Sequence, residues 1–461
     1  MNQNIVNFKK IRMDIFNKLV NAHWKNELDC NFLDQLFNEI KSKYNLDSSY
    51  DNYIKDYIRL NMGLDPSGKN EFANEITDVT NLNTVKKPIV NKISGLCDKC
   101  EKKDDCNLCK YESHIYRRSP GPIIDHNKCV SCGKCIDDCA YGAILDKIEF
   151  IPLVNMLKDK SHRIFAAVAP SIAGQFGDNI SLGKLRTAFK LMGFEDMVEV
   201  ALFADILTIK EALEFNNLVK SKEDFYLTSC CCPIWTSLTE KQYPKLYEHM
   251  SLSISPMVAS GRILKYLYKD NNTKVVFIGP CVAKKSEAKD PRVEGAIDFV
   301  LTYRELKEVF ETLNINLVDL PSDDKDQASY GGRVYARVGG VSFSVKTVVN
   351  RIAPRRLIKF KPKKVNGVKQ CKELLDELSK NPIVDYNFIE GMGCIGGCVG
   401  GPRTNIDKDK ATDIVNESGE DSLIMTPFDN MNVMKILDAL GVSDMEDILE
   451  NKNVAKILTK E

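Results

Sequence analysis

Apolar residues recur three and four positions apart through the first sixty residues of the chain. The first run contains Ile5, Phe8, Ile15 and Leu19, and two similar runs follow, at 32–40 and 50–58. This spacing places apolar side chains on one face of a helix. We therefore predict a region of amphipathic helices, which a polar linker with proline and glycine joins to the remainder at about residue 90.

From about residue 160 the pattern changes to short apolar runs of β type. Four of these runs are RIFAAVAP, DFYLTSC, KVVFIGPC and DFVLTY, and helix-like segments such as YRELKEVFETL lie between them. Strands that alternate with helices predict an α/β domain. Three of the notable cysteines stand where a strand ends, which is where α/β folds place their chemistry.

Length and charge exclude several classes of partner. The 461 residues include 64 Lys and Arg and 64 Asp and Glu, so the formal net charge is zero. Nucleic acids bind basic surfaces, so we expect no nucleic-acid partner. We find neither a signal peptide nor an apolar run near the ~18 residues of a membrane span, and we expect a cytoplasmic protein without a membrane partner.

Sixteen cysteines are the most informative feature of the composition. Because cytoplasmic thiols are kept reduced, we expect metal ligands and catalytic groups rather than a disulfide framework. Cys30 and Cys371 stand alone in helix-like surroundings, and we predict that both are buried thiols. The other fourteen fall into close groups.

The segment CVSCGKCIDDC has the C-x2-C-x2-C-x3-C spacing of bacterial ferredoxins. Its cysteines are Cys129, Cys132, Cys135 and Cys139, and Ala140 stands where a proline usually follows. Tetrahedral zinc sites normally use two pairs of ligands with a longer loop between them. The spacing therefore favours a 4Fe-4S cluster.

The preceding segment, CDKCEKKDDCNLC, is less specific. Its cysteines are Cys97, Cys100, Cys106 and Cys109, and their spacing suits either zinc or an iron-sulfur cluster. The neighbouring ferredoxin motif favours a second 4Fe-4S cluster, and hence a module that conducts electrons. In two-cluster ferredoxins the last cysteine of each run binds the other cluster. Either Cys109 and Cys139 are exchanged in this way, or each run is self-contained.

Three later segments contain the remaining cysteines. They are TSCCCPIW at 228–235, IGPCVAKKSE at 278–287 and EGMGCIGGCVGGP at 390–402. In this order, and downstream of a ferredoxin-like module, they resemble the three signature segments of the FeFe hydrogenases, TSCCPxW, MPCxxKxxE and ExMxCxGGCxxGG. The resemblance spans roughly residues 92–430, and the first ninety residues have no counterpart in it.

The resemblance implies an α/β hydrogenase catalytic domain at 156–461, with two lobes around an active-site cluster. A small ferredoxin-like domain with two accessory 4Fe-4S clusters would precede it at 91–155, after a helical N-terminal region and linker at 1–90. The implied cofactor is the H-cluster, a 4Fe-4S cluster linked to a two-iron unit with CO, cyanide and a bridging dithiolate. Its thiolate ligands would be Cys232, Cys281, Cys394 and Cys398, with Cys398 as the bridge.

Further residues match positions that contact the two-iron unit in the family. Lys284 corresponds to a lysine that donates a hydrogen bond to a cyanide ligand. The others are Pro170, Ser171, Pro280 and Met392. Met392 has the alternative role of a core-filling side chain. Gly279 departs from the pattern, because the family often has methionine there.

The residues for proton transfer depart further from the family. Cys231 corresponds to its proton-relay cysteine, and Cys230 is an extra thiol where the pattern has serine. Family members carry two glutamates for proton transfer in a segment close to TIMEEATEL. Aligned on its first residue, TIKEALEF puts Ala212 and Phe215 at those positions, while Ser251 is retained. We predict that Cys231 makes the first transfer and that Cys230 leads protons along a different route; the alternative is that Cys230 merely packs.

The resemblance implies an enzyme that interconverts dihydrogen with protons and electrons. It would exchange electrons with ferredoxin or a similar carrier and would need maturation proteins to assemble its cofactor. Two other classes stay open: a dihydrogen sensor of low activity, and a hydrogenase-like protein of iron-sulfur assembly without dihydrogen chemistry. Retention of the PCxxK and ExMxC segments favours the hydrogenase.

Overall fold

A computed structural model describes residues 8–93, 95–100, 109, 114–115, 123–139, 141–228, 231–269, 272–381 and 384–460. Within these ranges the helices are α1 (Phe8–Trp24), α2 (Cys30–Lys43), α3 (Asp51–Asn61), α4 (Glu75–Thr80), α5 (Lys134–Asp138), α6 (Phe150–Lys158), α7 (Leu182–Leu191), α8 (Val200–Leu218), α9 (Pro233–Gln242), α10 (Pro244–Tyr247), α11 (Pro256–Leu267), α12 (Val282–Glu287), α13 (Tyr303–Thr312), α14 (Tyr330–Arg333), α15 (Gly340–Ile352), α16 (Gly367–Lys380), α17 (Lys408–Glu420), α18 (Met431–Ala439), α19 (Asp447–Glu450) and α20 (Lys452–Leu458). The strands are β1 (Val90–Lys92), β2 (His114–Ile115), β3 (Ile123–Ile124), β4 (Ile144–Asp146), β5 (Arg163–Val168), β6 (Asp196–Glu199), β7 (Tyr226–Leu227), β8 (Thr273–Gly279), β9 (Phe299–Thr302), β10 (Pro362–Asn366) and β11 (Phe388–Met392).

Two parallel sheets form the framework after residue 160. The larger sheet has the strand order β6-β5-β8-β9, and the smaller has the order β10-β11-β7. In the larger sheet β5 pairs with β8 over six residues, from Arg163 opposite Thr273 to Val168 opposite Ile278. Strands β9 and β11 are buried along their whole length, as expected where helices cover both faces of a parallel sheet. The predicted α/β class is therefore confirmed.

The N-terminal helices pack against both the cysteine-rich region and the catalytic part of the chain. Arg12 on α1 donates to the Asp146 carboxylate at 3.0 Å, and Lys285 on α12 donates to the same carboxylate at 3.0 Å. Burial alone would raise the pKa of Asp146, but Lys285, Arg12 and Arg403 together hold it well below its usual range. Because buried charges of this kind need all their partners, the helical region is an integral part of the fold.

The segment predicted to be a linker is partly ordered by α3. The Asp56 carboxylate accepts hydrogen bonds from the backbone of Ser67 at 2.9 Å and of Gly68 at 3.1 Å. Arg59 donates to the carbonyl of Glu71 at 2.6 Å, and α4 lies within the same segment. These contacts make it a packed connection rather than a free linker.

The first and last strands of the cysteine-rich region pair with each other. Strands β1 and β4 pair antiparallel, with Val90 opposite Asp146. The predicted boundary after residue 155 falls inside α6, and that helix contacts α1 and β9. Among the described residues, none of the helices combines the length and the apolar character that a bilayer-spanning segment needs.

Candidate functional site

Three strands from both sheets end at one place, and each is followed by predicted cluster ligands. Cys232 follows β7 and directly precedes α9, Cys281 lies between β8 and α12, and Cys394 and Cys398 follow β11. The backbone N–H of Gly393 donates to the Cys232 sulfur at 3.2 Å, which joins the first and third signature segments. The fold therefore gathers residues that lie up to 166 positions apart in the chain.

The four thiols affect one another electrostatically. Burial raises the pKa of Cys281 to about 11, and the neighbouring Cys232 adds to the rise. Burial, with Cys232 and Cys281, raises the pKa of Cys398 to about 12. The pKa of Cys394 lies well above its usual value for the same reasons, with burial the largest cause. The structure thus brings all four predicted ligands into one group.

This donor set fits an iron-sulfur cluster. Several thiolates that repel one another in a buried site are favourable only when a metal centre compensates their charge. Within the described ranges, no three His, Cys, Asp or Glu side chains form a group that could hold one metal ion. Four thiolates are the soft ligands that iron-sulfur clusters require.

The accessory cysteines fall into two groups in the structure. In the first, the pKa of each thiol is raised by burial and then by the charges of its neighbours, among which Cys109 appears every time. The thiols affected in this way are Cys129, Cys132 and Cys135. Cys109 therefore lies with the run that follows it rather than with its own run.

The second group lies beside the N-terminal helices. Burial raises the pKa of Tyr57 well above its usual value, and Cys139 and Cys97 add to that rise. Cys100 acts in the same way on Tyr141. Cys106 lies outside the described residues. This grouping corresponds to the exchanged arrangement of a two-cluster ferredoxin.

The first accessory group adjoins the four thiols of the signature segments. Cys281 is among the residues that raise the pKa of Cys132 after burial, and Cys132 in turn acts on Cys394. The accessory group and the group of four are therefore neighbours through Cys132.

A cavity with mostly apolar walls lies beside the four thiols. The predicted residues that line it are Cys231, Pro170, Pro280, Lys284, Cys281 and Cys398. Met257, Phe277 and Tyr335 line it as well and were not predicted. The Ser255-Pro256 pair signals the start of α11 and so could have indicated Met257, whereas Tyr335 carries no local signal in the sequence.

Lys284 is the one cation among the cavity-lining residues of the described chain. Its Nζ donates to Glu287 at 2.7 Å, and the residue is only 6% exposed. Burial lowers the pKa of Lys284, but Glu287, with Cys281 and Cys231, outweighs burial and raises it above its usual value. Lys284 is therefore held as an ammonium beside the cavity, where it can donate to an anionic ligand.

Ser171 and Met392, which were predicted to contact the cofactor, do not line the cavity among the described residues. The Ser171 hydroxyl lies fully buried at 2.8 Å from the Tyr303 hydroxyl, next to the cavity-lining Pro170. Met392 is buried in the core, its carbonyl accepts a hydrogen bond from the Cys371 thiol, and it is not among the described residues that line the cavity. A Cβ at Gly397, whose φ is +93°, would lie 2.8 Å from the Met392 sulfur. These contacts favour the core-filling role for Met392.

Gly279 makes room for an aromatic ring. A Cβ at Gly279 would lie 2.6 Å from the ring of Phe277, which lines the cavity. The family pattern has a methionine at the position of Gly279. In this chain the ring of Phe277, two residues earlier, fills space beside the cavity.

The predicted loss of the proton-transfer glutamates is wrong. Ala212 and Phe215 are buried in the apolar core, whereas Glu211 and Glu214 lie on another face of α8. The Thr228 hydroxyl donates to Glu211 at 2.6 Å, and the Ser251 hydroxyl donates to Glu214 at 2.6 Å. Starting the alignment one residue earlier, at LTIKEALEF, places both glutamates under those of TIMEEATEL.

Two predictions concern isolated cysteines. Cys371 is buried, as predicted. Cys30 is exposed, because it is the first residue of α2 after the capping residue Asp29 and lies in the outer turn of that helix. Cys230 lies outside the described residues.

Comparisons with known proteins identify the family of the chain. Residues 162–402 match the family model described as iron only hydrogenase large subunit, C-terminal domain. The chain is 26% identical over 433 residues to iron hydrogenase 1 of Clostridium pasteurianum, covering 70% of this chain and 75% of that protein. It is 20% identical over 400 residues to a probable cytosolic Fe-S cluster assembly factor of Drosophila erecta, covering 71% of this chain and 83% of that protein.

Solved structures share the fold. An FeFe hydrogenase variant from Chlamydomonas reinhardtii superposes with a TM-score of 0.53 at 20% identity, covering 66% of this chain and 96% of that one. A structure that describes stepwise H-cluster assembly in an FeFe hydrogenase gives a TM-score of 0.55 at 20% identity, with the same coverage.

Proposed function

Because the chain belongs to the iron-only hydrogenase family, whose model matches more than half of its length, we propose that it interconverts dihydrogen with protons and electrons. The carrying observation is that two of the four grouped thiols, Cys281 and Cys398, line a cavity together with Lys284 and Cys231. Cys232, Cys281, Cys394 and Cys398 would hold the H-cluster. When bound, that cofactor supplies the iron chemistry by which dihydrogen is cleaved and formed.

The protein residues around the cavity would orient the cofactor and move protons. Lys284 would donate to an anionic ligand of the two-iron unit from a position fixed by Glu287. Cys231 would exchange a proton at the cavity wall. Glu211, Ser251 and Glu214 would carry protons outward along α8, from a fully buried carboxylate to one that is 15% exposed.

The accessory cysteines would supply electrons. Two 4Fe-4S clusters held by the two cysteine groups would connect the catalytic cluster with ferredoxin or a similar carrier. The protein would act in the cytoplasm, where its thiols stay reduced, and would receive its two-iron unit from maturation proteins.

A second candidate is a role in iron-sulfur cluster assembly, because several relatives at 20–21% identity bear that name. Such a role needs the cluster ligands but not a route for protons. The buried carboxylate of Glu211 and the partly buried carboxylate of Glu214, together with Lys284 at the cavity, favour the hydrogenase.

Anaerobic production with hydrogenase maturation proteins tests the proposal. We expect hydrogen evolution from reduced viologen and infrared bands of CO and cyanide ligands. Absence of both from a protein that carries its 4Fe-4S clusters would favour the assembly role.

Metal analysis should give about 14 irons per chain, from three 4Fe-4S clusters and one two-iron unit on the thiolates described. The sample is the matured protein, and the measurement is iron and zinc content per chain. Stoichiometric zinc with iron near ten would contradict the second accessory 4Fe-4S cluster and place zinc at the group that contains Cys97, Cys100 and Cys139.

Lys284→Ala should reduce activity about tenfold to a hundredfold, because it removes a donor to the two-iron unit but no cluster ligand. The 4Fe-4S absorption should remain, and the infrared bands of cyanide should shift or disappear. Lys289→Ala is the control, since Lys289 pairs with Glu149 and does not line the cavity. Normal activity and unshifted bands in Lys284→Ala would refute its assigned role.

A further inference from the structure

The helix that carries Glu211 and Glu214 also carries a buried lysine. Lys210 on α8 has a side chain that is only 2% exposed. Its Nζ donates to Oε1 of Glu214 and, at 2.8 Å, to the hydroxyl of Ser253. In the alignment that starts at LTIKEALEF, Lys210 stands under the first glutamate of TIMEEATEL. The chain therefore has an ammonium where the family pattern has an acid.

The two oxygens of Glu214 have different partners. Oε1 accepts from Lys210, whereas Oε2 accepts from the Tyr226 hydroxyl at 2.7 Å and from the Ser251 hydroxyl at 2.6 Å. An ammonium can only donate, but a hydroxyl can donate and accept. A proton can therefore enter or leave Glu214 through Oε2 by reversal of a hydroxyl hydrogen bond, whereas the ammonium at Oε1 cannot accept a proton from the carboxyl group.

Between the two hydroxyls on Oε2, the serine is the better proton carrier. Burial raises the pKa of Tyr226 well above its usual value, and Glu211 and Glu214 add to the rise, so this phenol keeps its proton. The small Ser251 hydroxyl can turn about its own bond to reverse its hydrogen bond. Ser251 is thus the natural partner of Glu214 in a relay.

Lys210 also holds the segment that presents Ser251. Its second hydrogen bond is to Ser253, and the backbone N–H of Ser253 donates to the Ser251 hydroxyl oxygen at 3.1 Å. The Lys210 ammonium therefore connects the carboxylate of Glu214 with the segment that contains Ser251. A network of hydrogen bonds of this kind holds the Ser251–Glu214 contact in one geometry.

We propose that Lys210 is a positioning residue for proton transfer, which fixes Glu214 so that Oε2 exchanges protons with Ser251. This inference rests on the proposed function, because it assigns Lys210 a part in the proton route of a hydrogenase. In this proposal Lys210 is not a proton carrier; it directs where the neighbouring carboxylate exchanges protons.

Two substitutions test the proposal in the matured protein. Lys210→Met removes the ammonium, and we expect turnover to fall about tenfold or more and the solvent deuterium isotope effect to rise, since a misplaced proton relay becomes rate-limiting. Lys210→Gln keeps a donor, so it should retain part of the rate. Lys265→Met is the matched control, because Lys265 lies on α11, is partly buried and pairs with Asp298 outside the relay. This variant should change neither the turnover nor the isotope effect.

A third measurement needs no activity. In protein that carries only its 4Fe-4S clusters, the carboxylate infrared band that disappears in Glu214→Gln belongs to Glu214, and it should shift in Lys210→Met. If Lys210→Met fails to fold, Lys210→Gln carries the test: the Glu214 band should shift in it, and the isotope effect should rise. An unshifted band, or a normal rate with an unchanged isotope effect, would refute the role of Lys210 alone. No turnover in the unsubstituted matured protein would refute the proposed function, and the relay with it.

Discussion

Replacing Cys398 with serine should abolish hydrogen evolution and prevent retention of the two-iron unit. Cys398 both belongs to the group of four thiols and lines the cavity, so it lies where the two parts of an H-cluster would meet. A serine oxygen is a hard ligand, and iron-sulfur centres require soft thiolates. We expect activity at background level, loss of the CO and cyanide infrared bands, and iron near eight to twelve per chain from the remaining clusters.

Cys371→Ser is the matched control for that experiment. Cys371 is also buried, and its pKa is raised to about 12 by burial and then by the nearby Cys232. Its thiol donates to the carbonyl of Met392, a bond that a serine hydroxyl can also make. We expect the iron content and the infrared bands of this variant to match the unsubstituted protein. Full activity in Cys398→Ser would overturn the ligand assignment.

The cysteine ligands could be predicted because each lies in a short segment whose pattern can be recognised in the sequence. Each signature segment places its cysteine directly after an apolar run, and the structure has strands β7, β8 and β11 at those runs. The fold class followed from the same runs, since buried parallel strands are apolar on both faces. The meeting of Cys232 with Gly393, which are 161 positions apart, came from the resemblance and not from any local pattern.

The glutamates of α8 could not be placed from the sequence, because the segment aligns with the family pattern in two registers. A shift of one residue rotates a helical side chain by about 100°, which moves it to a different face. Tertiary contacts decide between the registers: Phe215 packs against the rings of Phe360 and Phe388, and Glu214 then meets Ser251. The choice depends on residues that lie far from α8 in the chain.

The position of the N-terminal helices also depends on residues far away in the chain and could not be predicted from the local sequence. Its helices were predicted from periodicity, but their position depends on Arg12 meeting Asp146, 134 positions away. Asp146 also binds Lys285, which follows Lys284 in the second signature segment. The N-terminal helices are therefore connected through one buried carboxylate to the segment that lines the cavity.

Electrons and protons would reach the cavity through different residues. The accessory thiols reach the catalytic group through Cys132, which affects both Cys394 and its own neighbours. The carboxylates of α8 reach it through the first signature segment, where Thr228 donates to Glu211. A substitution in one route should therefore leave the spectroscopic signature of the other unchanged.

Replacing Cys231 with alanine should slow turnover by about 10² to 10⁴-fold, the range expected when a positioned acid-base group is removed. Cys231 lines the cavity but is separate from the four predicted ligands, so the iron content and the CO and cyanide bands should persist. Turnover, its solvent isotope effect and infrared spectra are measured on the same matured sample.

Cys230→Ala is the comparison: a measurable slowing would support a second thiol in the route, whereas an unaltered rate and pH profile would assign Cys230 to the core. Because Glu211 and Glu214 already provide carboxylates beyond Cys231, we expect the effect at Cys230 to be far smaller than the effect at Cys231. A Cys231→Ala enzyme with normal turnover would show that protons leave the cavity by another group.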